Sequence, residues 1–231
     1  MQPGTVHVDR VDDPRVVFVA TRFGFAQLLS PVEHDGQARA VLDLMFDEAD
    51  LKGRYLLWYD PPEPCRRLLD RLPKKPARSR TRIRLVLDRD AFARSPRPAP
   101  AAGVELVDID ADVLARLEPL GLDIGGRFWP SENAFLERGL GVAGLTEGVA
   151  ASAVYSACVV RGVAEVDVAT LERFRGRGLA GLVVERFARR CLERGLVPTW
   201  DCFDYNEPSL RLARRLGFEE RARYPFYSFT V

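Results

Sequence analysis

The apolar positions of this chain follow two spacings, one typical of helices and the other typical of strands. Between residues 179 and 194 they recur at i, i+3 and i+4, which predicts a long amphipathic helix ending at Gly195. Its apolar face comprises Ala180, Val183, Val184, Phe187, Ala188, Cys191 and Leu192. Residues 37–51 share the helical spacing, whereas apolar residues alternate with arginines over 80–87. The alternation predicts a half-exposed strand, with Arg82 and its neighbouring arginines on the solvent face.

The rest of the pattern mixes short strands with helices. In the first hundred residues we expect strands at 15–23, 25–29 and 55–59 and a short helix at 65–72. After residue 103 the expected strands are 104–109, 140–145, 150–160, 163–169, 199–203, 219–224 and 226–231. The expected helices there are 111–117, 130–137, the amphipathic helix and 208–216. This order predicts an α/β fold with a mixed (α+β) sheet.

One proline-rich stretch marks a candidate domain boundary. Residues 95–103 read Ser-Pro-Arg-Pro-Ala-Pro-Ala-Ala-Gly, and prolines at alternate positions favour an extended, semi-rigid spacer. We therefore expect a smaller α/β N-terminal domain (1–95), a linker (96–103) and a C-terminal domain (104–231).

Composition excludes several classes of function. The chain has 231 residues, 47% of them hydrophobic, and a net charge of +1, which gives no general attraction to nucleic acid or membrane. It contains neither an apolar run of about 20 residues nor a recognisable signal peptide, so we expect a cytoplasmic protein. The basic run at 74–82 lacks the interleaved aromatic residues that stack on bases. The four cysteines lack CxxC spacing and accompany only two histidines, so no metal site is expected.

A glycine-bearing segment directly before the amphipathic helix points to a ligand. Val166–Ala169 is apolar, and Arg173-Phe174-Arg175-Gly176-Arg177-Gly178 leads into the helix. Backbone N–H groups at a helix start, together with the helix dipole, attract phosphate, and glycine lets the backbone approach it closely. The segment matches neither GxGxxG nor GxxxxGK[ST], so dinucleotide and nucleoside triphosphate loops are excluded.

Two motifs together resemble a known superfamily. Arg-x-x-Gly-x-Gly-Leu-Ala (173–180) resembles the pyrophosphate loop of GNAT acetyltransferases, which bind acetyl-CoA there. Asn206-x-x-Ser209 followed by Leu-Gly-Phe (216–218) resembles the second half of the same cofactor region. Pro-x-Trp-Asp-Cys (198–202) is similar to bacterial members with an additional N-terminal domain, related to zwittermicin-type antibiotic-resistance acetyltransferases.

This resemblance implies a cofactor site for acetyl-CoA, with its pantetheine arm between two splayed strands. The residues implied for cofactor binding are Val166, Val168, Arg173, Phe174, Arg175, Gly176, Arg177, Gly178, Leu179, Ala180, Asn206 and Ser209. The implied activity is transfer of the acetyl group to a primary amine of a small or amino-acid-like molecule. In this reaction the amine attacks the thioester directly.

The catalytic residues remain open. Many GNAT enzymes carry a Tyr that acts as the general acid in the helix before Leu-Gly-Phe. In this chain that position is Ala213. The candidate acids are then Tyr205 and Ser209. The candidate bases are Glu172, Asp201 and Asp204.

Two other functions stay possible on these residues: a catalytically silent CoA-binding module, and an arginine-mediated interaction protein. The first 95 residues are expected to shape the acceptor cleft, to mediate dimerisation or to form a degenerate second half. We expect a monomer or homodimer whose partner is a small-molecule amine.

Overall fold

The structure, a computed structural model, describes residues 3–29, 36–37, 39–40, 43, 54–60, 78–99 and 101–230. Its strands are β1 (Gly4–Val8), β2 (Val17–Thr21), β3 (Phe25–Leu29), β4 (Arg54–Asp60), β5 (Arg78–Leu87), β6 (Val104–Asp108), β7 (Gly141–Thr146), β8 (Val149–Val160), β9 (Val163–Thr170), β10 (Val197–Phe203) and β11 (Phe218–Thr230). Its helices are α1 (Arg89–Arg94), α2 (Ala111–Leu114), α3 (Ile124–Arg127), α4 (Glu132–Arg138), α5 (Leu179–Glu193) and α6 (Glu207–Arg215), with 3₁₀ turns at Glu118–Leu120 and Glu172–Phe174. The predicted α/β fold with a mixed sheet is confirmed.

The chain divides into two compact units, and the division differs from the expected one. Unit 1 contains Ile83–Ala222, and unit 2 contains Pro3–Arg82 and Arg223–Val231. The change of unit falls inside β5 because its second half contributes Ile83, Leu85 and Leu87 to the core of unit 1. The proline-rich stretch that we expected to link two domains therefore lies within unit 1.

In unit 1 the strands follow the order β11-β5-β10-β9-β8-β7-β6. From β6 to β9 neighbouring strands are antiparallel, as a meander requires. β10 runs parallel to β9, and α5 forms the crossover between them. This β9–α5–β10 arrangement places the glycine loop at the end of β9, where α5 begins.

The two faces of this sheet carry separate cores. One face packs against α5, α6 and α1 through residues that include Val166, Phe187, Trp200 and Ala213. The other packs against α2 and α4 through residues that include Tyr155 on β8. Side chains that alternate along a strand therefore point into different environments.

Unit 2 has the strand order β1-β2-β3-β4-β11. The first two pairings are antiparallel, β3 and β4 are parallel, and β4 and β11 are antiparallel. Arg82 is buried here, with its guanidinium 5.4 Å from the centre of the Phe25 ring and 5.5 Å from that of Phe226. The expected solvent exposure of Arg82 is thus wrong, because aromatic rings cover its cation.

Several expected elements need correction. The two C-terminal strands are one continuous strand, β11, which accommodates Pro225 in its interior. The sequence reasoning also missed β1 and α1, although the side chain of Asp88 caps α1 by accepting from the Ala91 N–H at 2.8 Å, as Asp before a helix often does. The expected helix at 65–72 and most of that at 37–51 lie outside the described residues.

Two kinds of feature are absent from the described residues. Within those residues, no helix is long and apolar enough to span a membrane. Nor do they contain a group of three or more His, Cys, Asp or Glu side chains placed to hold a metal ion.

Candidate functional site

The parallel pairing of β9 and β10 is short. Among the described residues it joins Val163 to Val197, Ala164 to Pro198 and Glu165 to Thr199. Both strands continue beyond these pairs, β9 to Thr170 and β10 to Phe203. The two backbones therefore diverge, and the edges that face each other across the gap have polar groups to offer a ligand.

A cavity of about 930 Å³ lies at this divergence. Its wall combines the end of β9, the glycine loop, the start of α5, Trp200 on β10, one side of α6 along its whole length, and two segments from elsewhere in unit 1. The residues concerned are Pro98, Ala99, Leu120, Val168, Ala169, Thr170, Phe174, Arg175, Gly176, Arg177, Gly178, Leu179, Ala180, Gly181, Trp200, Asn206, Pro208, Ser209, Leu212, Arg215 and Leu216.

The glycine loop gives the cavity an anion-binding end. Gly176 and Gly178 have φ of 77° and 80°, a region that favours glycine. A Cβ at either position would meet no atom within 4 Å, so the backbone here is open to a ligand. Gly178 caps α5 without a side-chain hydrogen bond, and the first turn of a helix leaves its N–H groups unpaired. These groups lie at the cavity wall with the positive end of the helix dipole behind them.

Arginine side chains add positive charge at the same end. Arg175, Arg177 and Arg215 all line the cavity. Arg175 Nε also donates to the Thr170 carbonyl at 3.3 Å, which ties the loop to the end of β9. Two guanidinium groups lie close to the ring of Phe174, that of Arg173 at 5.1 Å and that of Arg177 at 5.3 Å from the ring centre. The arrangement suits a ligand with several negative charges.

Another part of the cavity wall is formed by hydrogen-bonded residues of β10 and of the start of α6. Asn206 caps α6 by accepting from the Ser209 N–H at 3.3 Å. The indole N–H of Trp200, which is almost fully buried, donates to Ser209 Oγ at 2.9 Å. Because an indole nitrogen can only donate, Ser209 must accept here, and its own hydroxyl hydrogen remains available to a ligand in the cavity.

The cavity contains most of the residues expected to bind the cofactor. Of the twelve expected, the described lining lacks Val166, which packs into the core beneath α5, and Arg173, which stacks on Phe174. Sequence reasoning missed Pro98, Leu120 and Arg215. A proline-rich connection, a leucine in a short turn and an arginine in the last turn of a helix are all ordinary features, so no local signal marked them.

The four expected catalytic residues occupy different positions. Ser209 lines the cavity, whereas Glu172, Asp201 and Tyr205 are not among its described lining residues. Glu172 is exposed in a 3₁₀ turn, and Tyr205 is 57% exposed with its ring stacked on Phe203. Asp201 is nearly buried, and its carboxylate lies 3.3 Å from Arg84 Nε.

Ala213 and Asp204 complete the expected set. Ala213 is fully buried in the core beneath α6, so this position presents no polar group to the cavity. Asp204 lies in the turn between β10 and α6 and is half-buried.

A buried tyrosine–carboxylate pair on the other face was not anticipated. Tyr155 on β8 is fully buried, and its hydroxyl donates to Asp167 Oδ2 on β9 at 2.7 Å. Burial and the negative charge of Asp167 raise the pKa of Tyr155 above its ordinary value of about 10. Only the register of β8 against β9 brings the two together, and a sequence does not display register.

The raised pKa of Tyr155 makes stability depend on pH in alkali. The unfolded chain loses this proton near pH 10, about where a free tyrosine ionises, while the folded protein keeps it. Below pH 10 the contribution of Tyr155 to the free energy of unfolding is fully present. Above pH 10 this contribution falls, by at most about 1.4 kcal/mol per pH unit. Urea unfolding from about pH 9 to 11 should show a shallower loss for Tyr155→Phe than for wild type. Tyr205→Phe, at an exposed ring, serves as control, and equal slopes for Tyr155→Phe and wild type would refute the expectation.

Comparisons with known proteins agree with this geometry. A family model described as GNAT acetyltransferase matches residues 1–227. The Bacillus subtilis (strain 168) protein described as uncharacterized N-acetyltransferase YdfB is 36% identical over 125 residues, which cover 54% of this chain and 48% of that protein. The match therefore spans about half the length of this relative.

Solved structures share the fold along nearly the whole chain. A GCN5-related N-acetyltransferase-like protein from Streptococcus suis 89/1591 has a TM-score of 0.73 at 24% identity, covering 98% of this chain and 88% of its own. A tandem GNAT protein from the clavulanic acid biosynthesis pathway has a TM-score of 0.67 at 16% identity, covering 100% of this chain and 85% of its own. At these identities the likeness establishes the fold.

Proposed function

Because the chain belongs to the GNAT acetyltransferase family, we propose that it transfers the acetyl group of acetyl-CoA to a primary amine of a small or amino-acid-like molecule. The observation that carries this proposal is the cavity between the diverging strands β9 and β10, which ends at the glycine loop. A long, flexible ligand with phosphates at one end and a reactive group at the other matches those two parts.

The residues present fit acetyl-CoA. The N–H groups around Gly176 and Gly178, with Arg175, Arg177 and Arg215, would hold its phosphates. The diverging edges of β9 and β10, with Val168 on the wall, would pair with the amide groups of the pantetheine arm. The ligand supplies an activated acetyl thioester. The protein contributes orientation, exclusion of water and hydrogen bonds at the reacting end.

Ser209 is the predicted catalytic residue that the cavity geometry supports best. Its oxygen accepts from Trp200, so its hydroxyl hydrogen can be donated towards a sulfur atom that acquires negative charge as CoA departs. A hydrogen bond suffices for this role, since a free thiol has a pKa of about 8.5 and a thiolate is a stable product. Ser209 thus takes part of the role of the tyrosine that Ala213 replaces.

A carboxylate is proposed as proton acceptor for the incoming amine. Asp201 on β10 belongs to the face opposite α5, and its ion pair with Arg84 holds the carboxylate in place. Glu172 and Tyr205 remain candidates on the sequence alone, but their exposed positions support them less.

Our proposal of a subgroup within the family rests on two sequence motifs. Pro-x-Trp-Asp-Cys (198–202) and Asn206-x-x-Ser209 support a place among bacterial acetyltransferases with an additional N-terminal domain, related to the zwittermicin type. On that basis we include amine-bearing antibiotics among the acceptors and place the reaction in the cytoplasm. The burial of Ala213 favours one alternative, a CoA-binding module without turnover.

Two measurements in sequence test the proposal. Calorimetric titration of acetyl-CoA into the protein should show saturable binding, and CoA-thiol release should then rise when a panel of primary amines is added. Binding without release for any amine would favour the silent module. No binding at concentrations well above micromolar would overturn the acetyl-CoA site itself.

A further inference from the structure

Asp167 and Asp201 lie on the same face of the sheet. Thr199 is paired with Glu165, so Asp201 and Asp167 each stand two residues further along their strands. Side chains two residues apart in a strand point to the same face of the sheet. Asp167 pairs with Tyr155, which belongs to the core under α2 and α4, and Asp201 alternates with Trp200 and Cys202, which belong to the core under α5. Both carboxylates therefore face away from α5.

The cavity reaches this face as well. Leu120, in the 3₁₀ turn after α2, packs against the core that contains Tyr155. The same Leu120 forms part of the cavity wall together with residues of α5 and α6. Asp167 and Tyr155 are not themselves among the described lining residues, but the cavity wall includes Val168, the residue after Asp167 on β9, and through Leu120 it adjoins the core that contains Tyr155.

The two carboxylates differ in how they are held. Asp201 is compensated by a cation, because Arg84 Nε lies 3.3 Å from its Oδ2. Asp167 accepts from the neutral Tyr155 hydroxyl, and among the described residues no Arg, Lys or His nitrogen lies within 4.0 Å of its carboxylate oxygens. Arg127 and Asp123, from around α3, act on the Tyr155 hydroxyl in opposite directions: Arg127 lowers its pKa and Asp123 raises it. Asp167 is thus a half-buried carboxylate whose hydrogen-bond partner is a neutral hydroxyl.

We propose that Asp167 binds the ammonium group of the acceptor amine on the face covered by α2 and α4, and that Tyr155 positions its carboxylate. This rests on the proposed acetyltransferase activity, and it identifies the acceptor class as a cationic primary amine. The Tyr155 hydroxyl occupies one lone pair of Oδ2 and limits rotation of the carboxylate, which leaves the other lone pairs of its two oxygens available to a cation. A charge-assisted hydrogen bond of this kind outweighs a neutral one.

The test uses L-lysine methyl ester and spermidine as amine probes, titrated into the full chain saturated with CoA. Asp167→Asn should weaken binding of a probe about 10- to 100-fold, the range expected for a hydrogen bond to a charged group. Tyr155→Phe should weaken it by about 3- to 10-fold and raise the amine KM more than it lowers kcat. Affinity for acetyl-CoA should stay within about 2-fold of wild type in both variants, a result that a general loss of structure would not give.

Asp112→Asn, an exposed carboxylate on α2, removes the same charge from the same layer and should leave amine binding unchanged. Probe affinity that is equal in Asp167→Asn and wild type would overturn the proposal, as would a wild type that binds neither probe. If the wild type binds a probe that Asp167→Asn does not, but releases no CoA from acetyl-CoA, the amine site stands and the acetyltransferase activity alone fails.

Discussion

Gly178→Glu should lower the affinity for acetyl-CoA by at least about 100-fold, equivalent to about 2.7 kcal/mol. Gly178 caps α5 with a φ of 80°, and its N–H belongs to the group that faces the cavity. A glutamate there brings a negative charge against the ligand's phosphates and neutralises the positive end of the helix dipole that would otherwise attract them. The left-handed backbone also becomes strained by about 1–2 kcal/mol, which disturbs the loop. Calorimetry on wild type and variant measures the effect.

The chain offers a matched control for this change. Gly148, in the turn between β7 and β8, has a φ of 76°, and a Cβ there meets no atom within 4 Å. Gly148→Glu therefore imposes the same backbone strain and the same added charge away from the described cavity lining. It should bind acetyl-CoA like the wild type. Equal losses in the two variants would show that strain, not position, causes the effect.

Gly217→Ala should lower the free energy of unfolding by about 2–5 kcal/mol. Gly217 has a φ of +82°, which costs a residue with a side chain about 1–2 kcal/mol. A Cβ there would also stand 2.5 Å from the backbone nitrogen of Phe92, and overpacking of this kind costs about 1–3 kcal/mol. The Gly217 carbonyl accepts from the Asp88 N–H at 3.0 Å, so backbone movement to relieve the clash would weaken that bond. Urea unfolding monitors the change.

Gly195→Ala separates the two causes. Gly195 has a φ of +71° after α5, but its Cβ would meet no atom within 4 Å, so only the conformational cost remains. We expect a loss of about 1–2 kcal/mol for this variant. If Gly217→Ala cost no more than Gly195→Ala, the approach of α1 to Gly217 would not contribute to stability.

The phosphate end of the site could be predicted because its determinants are contiguous. The alternation of Arg and Gly over 173–178 and the periodic helix after it are local patterns, and the structure places most of these residues along one cavity. The β7–β8–β9 meander was predictable for the same reason, since Gly148 and Gly162 mark its turns.

The reacting end could not be predicted from local patterns. The bond between Tyr155 and Asp167 depends on register, and the ion pair between Arg84 and Asp201 joins residues 117 positions apart. The two compact units change over inside β5, an ordinary strand, whereas the prolines at 96–100 are the stronger local signal in the sequence. Tertiary packing decides such features, and propensity does not record it.

The parallel pairing of β3 with β4 has a consequence for the ancestry of the chain. In unit 2, β1, β2 and β3 form an antiparallel meander, described residues between 36 and 43 are helical, and β4 returns parallel to β3. In unit 1, β7, β8, β9, α5 and β10 repeat that connectivity. Where the second copy reads Arg-x-x-Gly-x-Gly, the first reads Ser-Pro-Val-Glu-His-Asp-Gly (30–36), with two acidic residues and no arginine. Duplication of a half-domain, with the arginine and glycine pattern of this loop kept only in the later copy, would leave this pattern.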